Sequence, residues 1–456
     1  MPSETTAWRN SVSKVFPGAA VTGTVFLRDV VEQEGGSMSN AHRVLIVGAG
    51  IGGLTLALQL HEAGIGCRIV EAAPDLAPLG VGINILPHAS AELFRLGLGE
   101  ALEHTAVCTR EASFFNRFGQ HIYSEPAGRD AGYAHPQLSV HRGDLQLILV
   151  SAVRDRLGTD AIVTGQKCVR VGHGDGSALA YTEDEDGAVT QWEADVVVGC
   201  DGVHSAVRRC LHSDEGPPRY SGCMMWRGAT VTPPFLSGAS MVRVGWLSTG
   251  KMVIYPIRDD VDGRGNQLVN WVAELESPQR SQRSWTRTGT QDDFAAAFAD
   301  WRFDWLDVPA LIDSTDTILE YPMVDQEPLP WWGEGRVTLL GDAAHPMVPR
   351  GANGAGQAIL DTRALTQCLC EYHDPTEALR QYEDQRREAT ARVVHMNRTN
   401  PPDAVLREVY ERTGDRPFAT VEAVITTEEI EGILGRYRSV TGSSTEALQS
   451  SGETSP

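Results

Sequence analysis

Arg43-Val44-Leu45-Ile46-Val47-Gly48-Ala49-Gly50-Ile51-Gly52-Gly53-Leu54, followed by Cys67-Arg68-Ile69-Val70-Glu71, decides how this chain is read. The apolar run before the glycines has the pattern of a strand buried on both faces. A helix pattern follows the glycines, and a second strand then ends on a carboxylate. Gly48 permits a tight turn, Gly50 lets the backbone approach a pyrophosphate, and Gly53 lets the helix pack closely on the strand, with Gly52 beside it in the same turn. A helix that begins there points its amide-rich, positive end at phosphate. Glu71 stands where an acid accepts hydrogen bonds from ribose hydroxyls. GxGxxG alone is weak evidence. With a strand before it, a helix after it and the acid beyond, it reads as a dinucleotide-binding unit.

The 456 residues suffice for two or three domain-sized units. A hydrophobic share of 41% with 22% charged residues is ordinary globular composition. The net charge of -21 argues against nucleic acid or an anionic membrane as a partner. No apolar run approaches the roughly 20 residues of a membrane span. The eight cysteines are scattered, with no CxxC pair and no ligand-like Cys/His spacing. No metal site is expected, and the thiols read as reduced, in a cytoplasmic protein. Residues 1–37 lack sustained periodicity apart from an apolar patch over 21–31. They are expected to be disordered or a mis-called extension ahead of a natural start at Met38.

Further on, Gly80-Val81-Gly82-Ile83-Asn84-Ile85 enters an extended apolar segment, where glycine either admits a flat ring or supplies a turn. Residues 89–102 read as one helix, and residues 113–123 as a hairpin outside the first unit. Arg142 and Gln146, spaced i, i+4, share a face at the start of a helix running to about Leu157. That face meets either phosphate and ribityl oxygens or solvent. A strand meander over 161–192 leads to Ala194-Asp195-Val196-Val197-Val198-Gly199-Cys200-Asp201-Gly202. This is a second buried strand, and ligands sit at the carboxyl ends of such strands.

From 217 to about 322 the character becomes strand-like, with one helix over 292–301. Trp226, Trp246, Tyr255 and Trp271 either line an aromatic pocket or form core, and the segment reads as a mixed sheet inserted between halves of the nucleotide domain. A third buried strand then delivers Gly341-Asp342. The loop Pro349-Arg350-Gly351-Ala352-Asn353-Gly354 presents backbone amides and a helix start to something anionic or electron-rich. His345 reads as a plain loop histidine. Beyond about Thr413 the helical signal is weak, and 441–456 reads as a disordered tail.

GxGxxG with Glu71, the Asp201-Gly202 strand end, and Gly341-Asp342 with its glycine loop together resemble the FAD-dependent aromatic hydroxylases of the single-component, p-hydroxybenzoate hydroxylase-like class. The resemblance covers roughly residues 42–400. Within that class, Gly80-Val81-Gly82-Ile83-Asn84-Ile85, Ser139-Val140-His141-Arg142-Gly143, Met225-Trp226-Arg227-Gly228, Tyr321-Pro322-Met323-Val324-Asp325 and Gly351-Ala352-Asn353-Gly354-Ala355 are similar to the 5-methylphenazine-1-carboxylate monooxygenase (phenazine hydroxylase) subgroup. The fold implied is α/β. A discontinuous Rossmann-like FAD-binding domain would take 38–216 and 326–400, with the hairpin near 111–125 joining the substrate sheet. An inserted mixed β-sheet substrate domain would take 217–325, and C-terminal helices with a flexible tail 401–456.

The resemblance also implies roles. Gly48, Gly50, Gly52 and Gly53 would hold the FAD pyrophosphate and Glu71 the adenosine ribose. Gly82 would lie near the flavin ring, Arg142 would reach the phosphate or ribityl region, and Asp342 the ribityl chain. Asp201 closes a motif that in the family serves both FAD and NAD(P)H. The amides of Gly351, Ala352, Asn353 and Gly354 would sit by the flavin N1–C2=O edge. Pro349, Arg350 and Gly351 would position flavin and substrate. Arg350 stands where an apolar or small residue is expected. It pairs with a substrate carboxylate or phenolate, or binds a flavin oxygen, or faces solvent.

The implied reaction is monooxygenation of an aromatic or N-heteroaromatic, phenazine-like substrate through a C4a-hydroperoxyflavin. FAD is the cofactor, NADH or NADPH the reductant and dioxygen the second substrate, in a monomer or homodimer. With a carboxylated ring, attack at the carboxyl-bearing carbon makes carbon dioxide a leaving group. Two rivals share the nucleotide motifs. One is a flavin-dependent reductase or dehydrogenase without oxygen insertion. The other is a non-catalytic flavoprotein that binds an aromatic ligand.

Overall fold

Strand β2 (Arg43–Val47) is buried almost throughout, and its neighbours on both sides run parallel to it. The sheet it centres has the order β21 (Val337–Leu339), β13 (Val196–Gly199), β2, β3 (Gly66–Val70) and β9 (Ile162–Val163), all parallel. Helices α1 (Ile51–Glu62), α4 (Arg142–Leu157) and α7 (Gly354–Glu371) pack with it into the largest apolar core. The computed structural model describes residues 21–27, 42–78, 80–278 and 288–445. The proposed start at Met38 and the tail beyond 445 lie outside the described residues.

A seven-stranded sheet stands against this unit. Its order is β20 (Leu319–Asp325), β14 (Arg219–Thr232), β17 (Gln267–Glu276), β16 (Gly250–Arg258), β15 (Ser240–Trp246), β6 (Glu111–Phe115) and β7 (His121–Pro126). All its pairs are antiparallel except β15 with β6, so it is mixed. The β6–β7 hairpin extends this sheet and is not part of the nucleotide sheet. Between the two lies a small antiparallel sheet of β4 (Gly82–Ile85), β8 (Gln137–His141) and β5 (Val107–Thr109). It puts Gly82 directly opposite His141, one residue before α4.

Several local expectations are corrected. The meander is β10 (Lys167–His173), β11 (Ala178–Glu183) and β12 (Val189–Ala194), whereas β9 leaves it for the parallel sheet. Part of the segment expected to be unstructured, Val21–Phe26, forms β1, parallel to β12, with Leu27 buried. Its β-branched residues suit the free edge of that meander. In place of one helix over 89–102 there are two, α2 (Pro87–Arg95) and α3 (Gly99–Thr105), separated at Gly97 with φ +73°. Residues 292–301 form two 3₁₀ turns, Gln291–Asp293 and Ala295–Phe298. They are pinned by Phe294 and Phe298 in the core and are too short to complete α-helical turns. The next helix, α6, is Val308–Asp313, following the short strands β18 (Arg302–Phe303) and β19 (Leu306–Asp307).

The C-terminal part is more ordered than its sequence suggests. After α5 (Ala206–Leu211), α7 and α8 (Pro375–Thr399) come α9 (Ala404–Thr413) and α10 (Thr427–Thr441). Thr426 and Glu429 close a capping box at the start of α10: the Thr426 hydroxyl accepts the Glu429 N–H and the Glu429 carboxylate accepts the Thr426 N–H. That Thr-x-x-Glu pattern is readable in the sequence.

Candidate active site

The three sequence motifs meet because β21, β13 and β2 are neighbours. Gly48 follows β2, Asp201 follows β13, and Gly341-Asp342 follows β21, all at carboxyl ends. Gly48 has φ +106°, and a Cβ on it would lie 2.6 Å from the Cys200 carbonyl oxygen, so the first turn touches the second. A Cβ on Gly53 would lie 2.1 Å from the Gly48 oxygen, which fixes the close seat of α1 on its own turn. Gly52 faces Leu340 and Ala358, linking the first turn to the third. Gly50 is the N-cap of α1 with nothing within 4 Å of an added Cβ, an open approach to amides that no side chain caps. Arg208 of α5 adds a tie absent from the sequence reading, donating to the Ala343 and Ala344 carbonyls at 2.9 Å each.

The acids behave differently from one another. Glu71 receives the Ala49 N–H at 2.7 Å and the Ala73 N–H at 2.8 Å, so it braces the glycine turn and keeps further lone pairs for a ligand. Asp201 accepts the Ser205 hydroxyl and the amides of Ala206 and Val207; its carboxylate is engaged in capping α5. Burial raises its pKa against those hydrogen bonds. The Asp342 carboxylate lies 3.8 Å from where a Cβ on Gly354 would stand, and its charge acts on Arg142. Burial, Asp342 and Arg227 in that order set the Arg142 guanidinium, with a net lowering from its ordinary value.

The glycine loop is a 3₁₀ turn, Pro349–Gly351, followed by Ala352 at φ +54° and by Asn353, the N-cap of α7. Gly351 is hemmed in by the C-terminal helix. An added Cβ would fall 1.5 Å from the Tyr437 hydroxyl, which itself donates to Asn397 Oδ1 at 2.8 Å. Asn353 Oδ1 lies 3.2 Å from His88 Nε2 and accepts from Gln357 Nε2 at 3.1 Å. Arg386 bonds Gln357 Oε1 at 2.7 Å and Asp361 Oδ1 at 2.7 Å. His345 is not a plain loop histidine: it is buried, with Nε2 2.6 Å from Asp361 Oδ2. Burial alone would raise the Asp361 pKa, but His345 and Arg386 override it and hold it below the usual carboxylate range. Burial pushes His88 down to about 4 against the Asn353 hydrogen bond, so its imidazole is neutral near pH 7.

The opposite wall is one face of the seven-stranded sheet. Gly82 is clamped there, with its N–H donated to Asn270 Oδ1 at 2.8 Å and its carbonyl accepting from Arg227 Nη2. An added Cβ would meet Asn270 at 2.7 Å and Ile257 at 2.8 Å, so only glycine fits. Asn270 Nδ2 and Arg227 Nε are buried without a protein partner. Arg227 and Asn270 were given no individual site role by the sequence, whereas Tyr255, one of the aromatics read as pocket or core, is buried with Ala352 of the glycine loop packed against its cluster. Trp226 and Trp271 turn to the other face, against Phe294, and are core rather than pocket.

FAD fits this frame on its own features: an uncapped, open helix N-terminus at Gly50, amides at the start of α7, and orphaned buried donors beside Gly82. The FAD binding domain family matches residues 41–397. Phenazine 1,6-dicarboxylic acid hydroxylase PhzS of Lysobacter antibioticus is 42% identical over 87% of this chain and 96% of that protein. A 6-hydroxynicotinate 3-monooxygenase of Pseudomonas fluorescens is 32% identical over 80% of this chain and 92% of its own length. In fold, HpxO of Klebsiella pneumoniae complexed with FAD and uric acid has a TM-score of 0.71 at 24% identity, covering 89% of this chain and 97% of that one. Among the described residues no helix is long and apolar enough to cross a membrane. The chain therefore belongs to the FAD binding domain family, as an FAD-dependent, NAD(P)H-consuming monooxygenase of the aromatic hydroxylase class.

Proposed function

We propose that the substrate is a phenazine-like N-heteroaromatic. The observation that carries this is the junction of three nucleotide-sheet strand ends with an apolar wall of Val81, Met225, Tyr321 and Val348. That wall suits a flat, extended ring, and the similarity to a phenazine dicarboxylic acid hydroxylase favours the same ring class.

FAD, when bound, supplies hydride acceptance and oxygen activation. The chain does the rest. Gly50 and the α1 N-terminus receive the pyrophosphate, with Gly52 and Gly53 keeping the turn shut behind it. Glu71, which already accepts the Ala49 N–H, would take the ribose, and Arg142, on which the Asp342 charge acts, would with Asp342 hold the chain between phosphate and ring. Amides of Gly351 to Gly354 at the start of α7 would hold the ring edge and favour negative charge there, with Asn353 oriented through Gln357 and His88. The buried wall and α10 above Gly351 keep water from the reacting atoms. Neutral His88 adds no charge there. The polar, buried frame needs no acid or base of its own in this scheme.

The test is NAD(P)H oxidation by the FAD-loaded protein in the presence of phenazine carboxylates, hydroxynicotinates, phenols and quinolones. Phenazines should stimulate oxidation and yield a hydroxylated ring. Stimulation by phenols alone would reject the substrate class.

A further inference from the structure

One buried charge cluster lies beyond the residues that frame the cofactor. Lys251 of β16 bonds Glu274 of β17 at 3.0 and 3.1 Å and also reaches Asp403, the N-cap of α9. Arg243 of β15 lies 3.3 Å from the other Asp403 oxygen. Lys251 and Asp403 are each 1% exposed, and Glu274 and Arg243 are buried as well. Two cations and two carboxylates thus balance, holding three strands to the C-terminal helices.

Arg350 is added to that balance as a third cation. It sits at the centre of the 3₁₀ turn, its guanidinium in hydrogen-bonding reach of the Cys223 thiol, and its charge opposes that of Lys251. Its Nε is buried without an acceptor, and it forms no ion pair among the described residues. Arg350 is half-buried overall and the cluster beside it is already neutral in itself, so its guanidinium keeps its hydrogen-bonding capacity for an added anion. Cys223 belongs to the same apolar wall as Val81, Met225, Tyr321 and Val348, so the guanidinium borders the space proposed for the ring. A guanidinium at the edge of an apolar slot recognises a planar carboxylate by paired hydrogen bonds.

We propose that Arg350, beside the Arg243–Asp403–Lys251–Glu274 cluster, is the residue of the substrate pocket that recognises the carboxylate of the ring substrate. This rests on the hydroxylase reading but is tested without turnover. Oxidised, FAD-loaded protein is titrated with phenazine-1-carboxylate and with unsubstituted phenazine, following the perturbation of the flavin spectrum. Wild type should bind the acid at least about tenfold more tightly, as a charge-assisted pair allows. Arg350→Gln should bring the ratio close to one, and Arg350→Lys should restore part of it. No preference in wild type, or a ratio unchanged in Arg350→Gln, overturns the proposal. So does a shifted flavin midpoint potential in Arg350→Gln with the ratio intact, because it places the guanidinium on the flavin. Oxygen insertion is not read in this titration, so failure of the hydroxylase reading would appear separately, as absence of hydroxylated product.

Discussion

Two sheets meet at the site and bring chemistry to it in opposite ways. The five-stranded sheet contributes strand ends: Gly48, Asp201 and Gly341-Asp342 are main-chain turns at three adjacent carboxyl termini. The seven-stranded sheet contributes a face. Along β14, Cys223, Met225 and Arg227 point to the site, while Met224 and Trp226 point away. Along β17, Asn270, Val272 and Glu274 alternate in the same sense with Val269, Trp271 and Ala273. The first sheet works through backbone and space, so its residues are nearly irreplaceable. The second divides its labour by side: one face for packing, the other for recognition.

The sharpest break of this contrast is at a strand end. Gly53→Val places branched carbon where a Cβ alone is 2.1 Å from the Gly48 oxygen. Purified protein should carry no flavin absorbance, and retained FAD would show that the turn is not closed as described. On the far face, Trp271→Ala should cost about 3–5 kcal/mol in denaturant unfolding, as for large-to-small core changes. Activity per bound FAD should stay near wild type, and a selective loss of activity would erase the division between faces.

Acid sharpens the comparison on the nucleotide side. The folded pKa of His88 is depressed to about 4 from 6.5, so below about 6.5 the unfolded chain takes up its proton first. The stability tied to the neutral imidazole is complete above that range and is lost as pH falls towards 4. The loss is up to about 3 kcal/mol at one pKa unit per 1.36 kcal/mol. His88→Asn should flatten the stability–pH curve between those values, and an unchanged slope would mean the imidazole is not buried neutral. The smallest stability effect belongs to the near face. Asn270→Ala should cost about 1–2 kcal/mol through the Gly82 N–H left without its acceptor. Its larger effect should be on coupling, with less hydroxylated product formed per NAD(P)H oxidised.

The contrast also explains what the sequence disclosed. Strand ends leave local signatures: Gly48 to Gly53, Asp201-Gly202 and Gly341-Asp342 are contiguous, and each reads as strand, turn and helix. A sheet buried on both faces hides its alternation, so attention fell on Trp226 and Trp271, which are core, and passed over Arg227 and Asn270 on the other face. The roof was hidden for another reason. Tyr437 acts through Asn397 and Gly351, and Asp403 through Arg243 and Lys251, pairs separated by 40 to 160 positions that no local pattern encodes. His345 was undervalued likewise, because its partner Asp361 lies on the following helix. The α10 capping box and the helix break at Gly97 were misread despite a local signal.

The central claim is that strand ends and sheet face together make an oxygen-inserting flavin site. The direct measurement is mass spectrometry of the product formed by FAD-loaded protein, NAD(P)H and a phenazine carboxylate under ¹⁸O₂. One labelled oxygen atom in the ring product is the predicted result. A reduced or oxidised product without label, formed at the same rate under nitrogen, would contradict it.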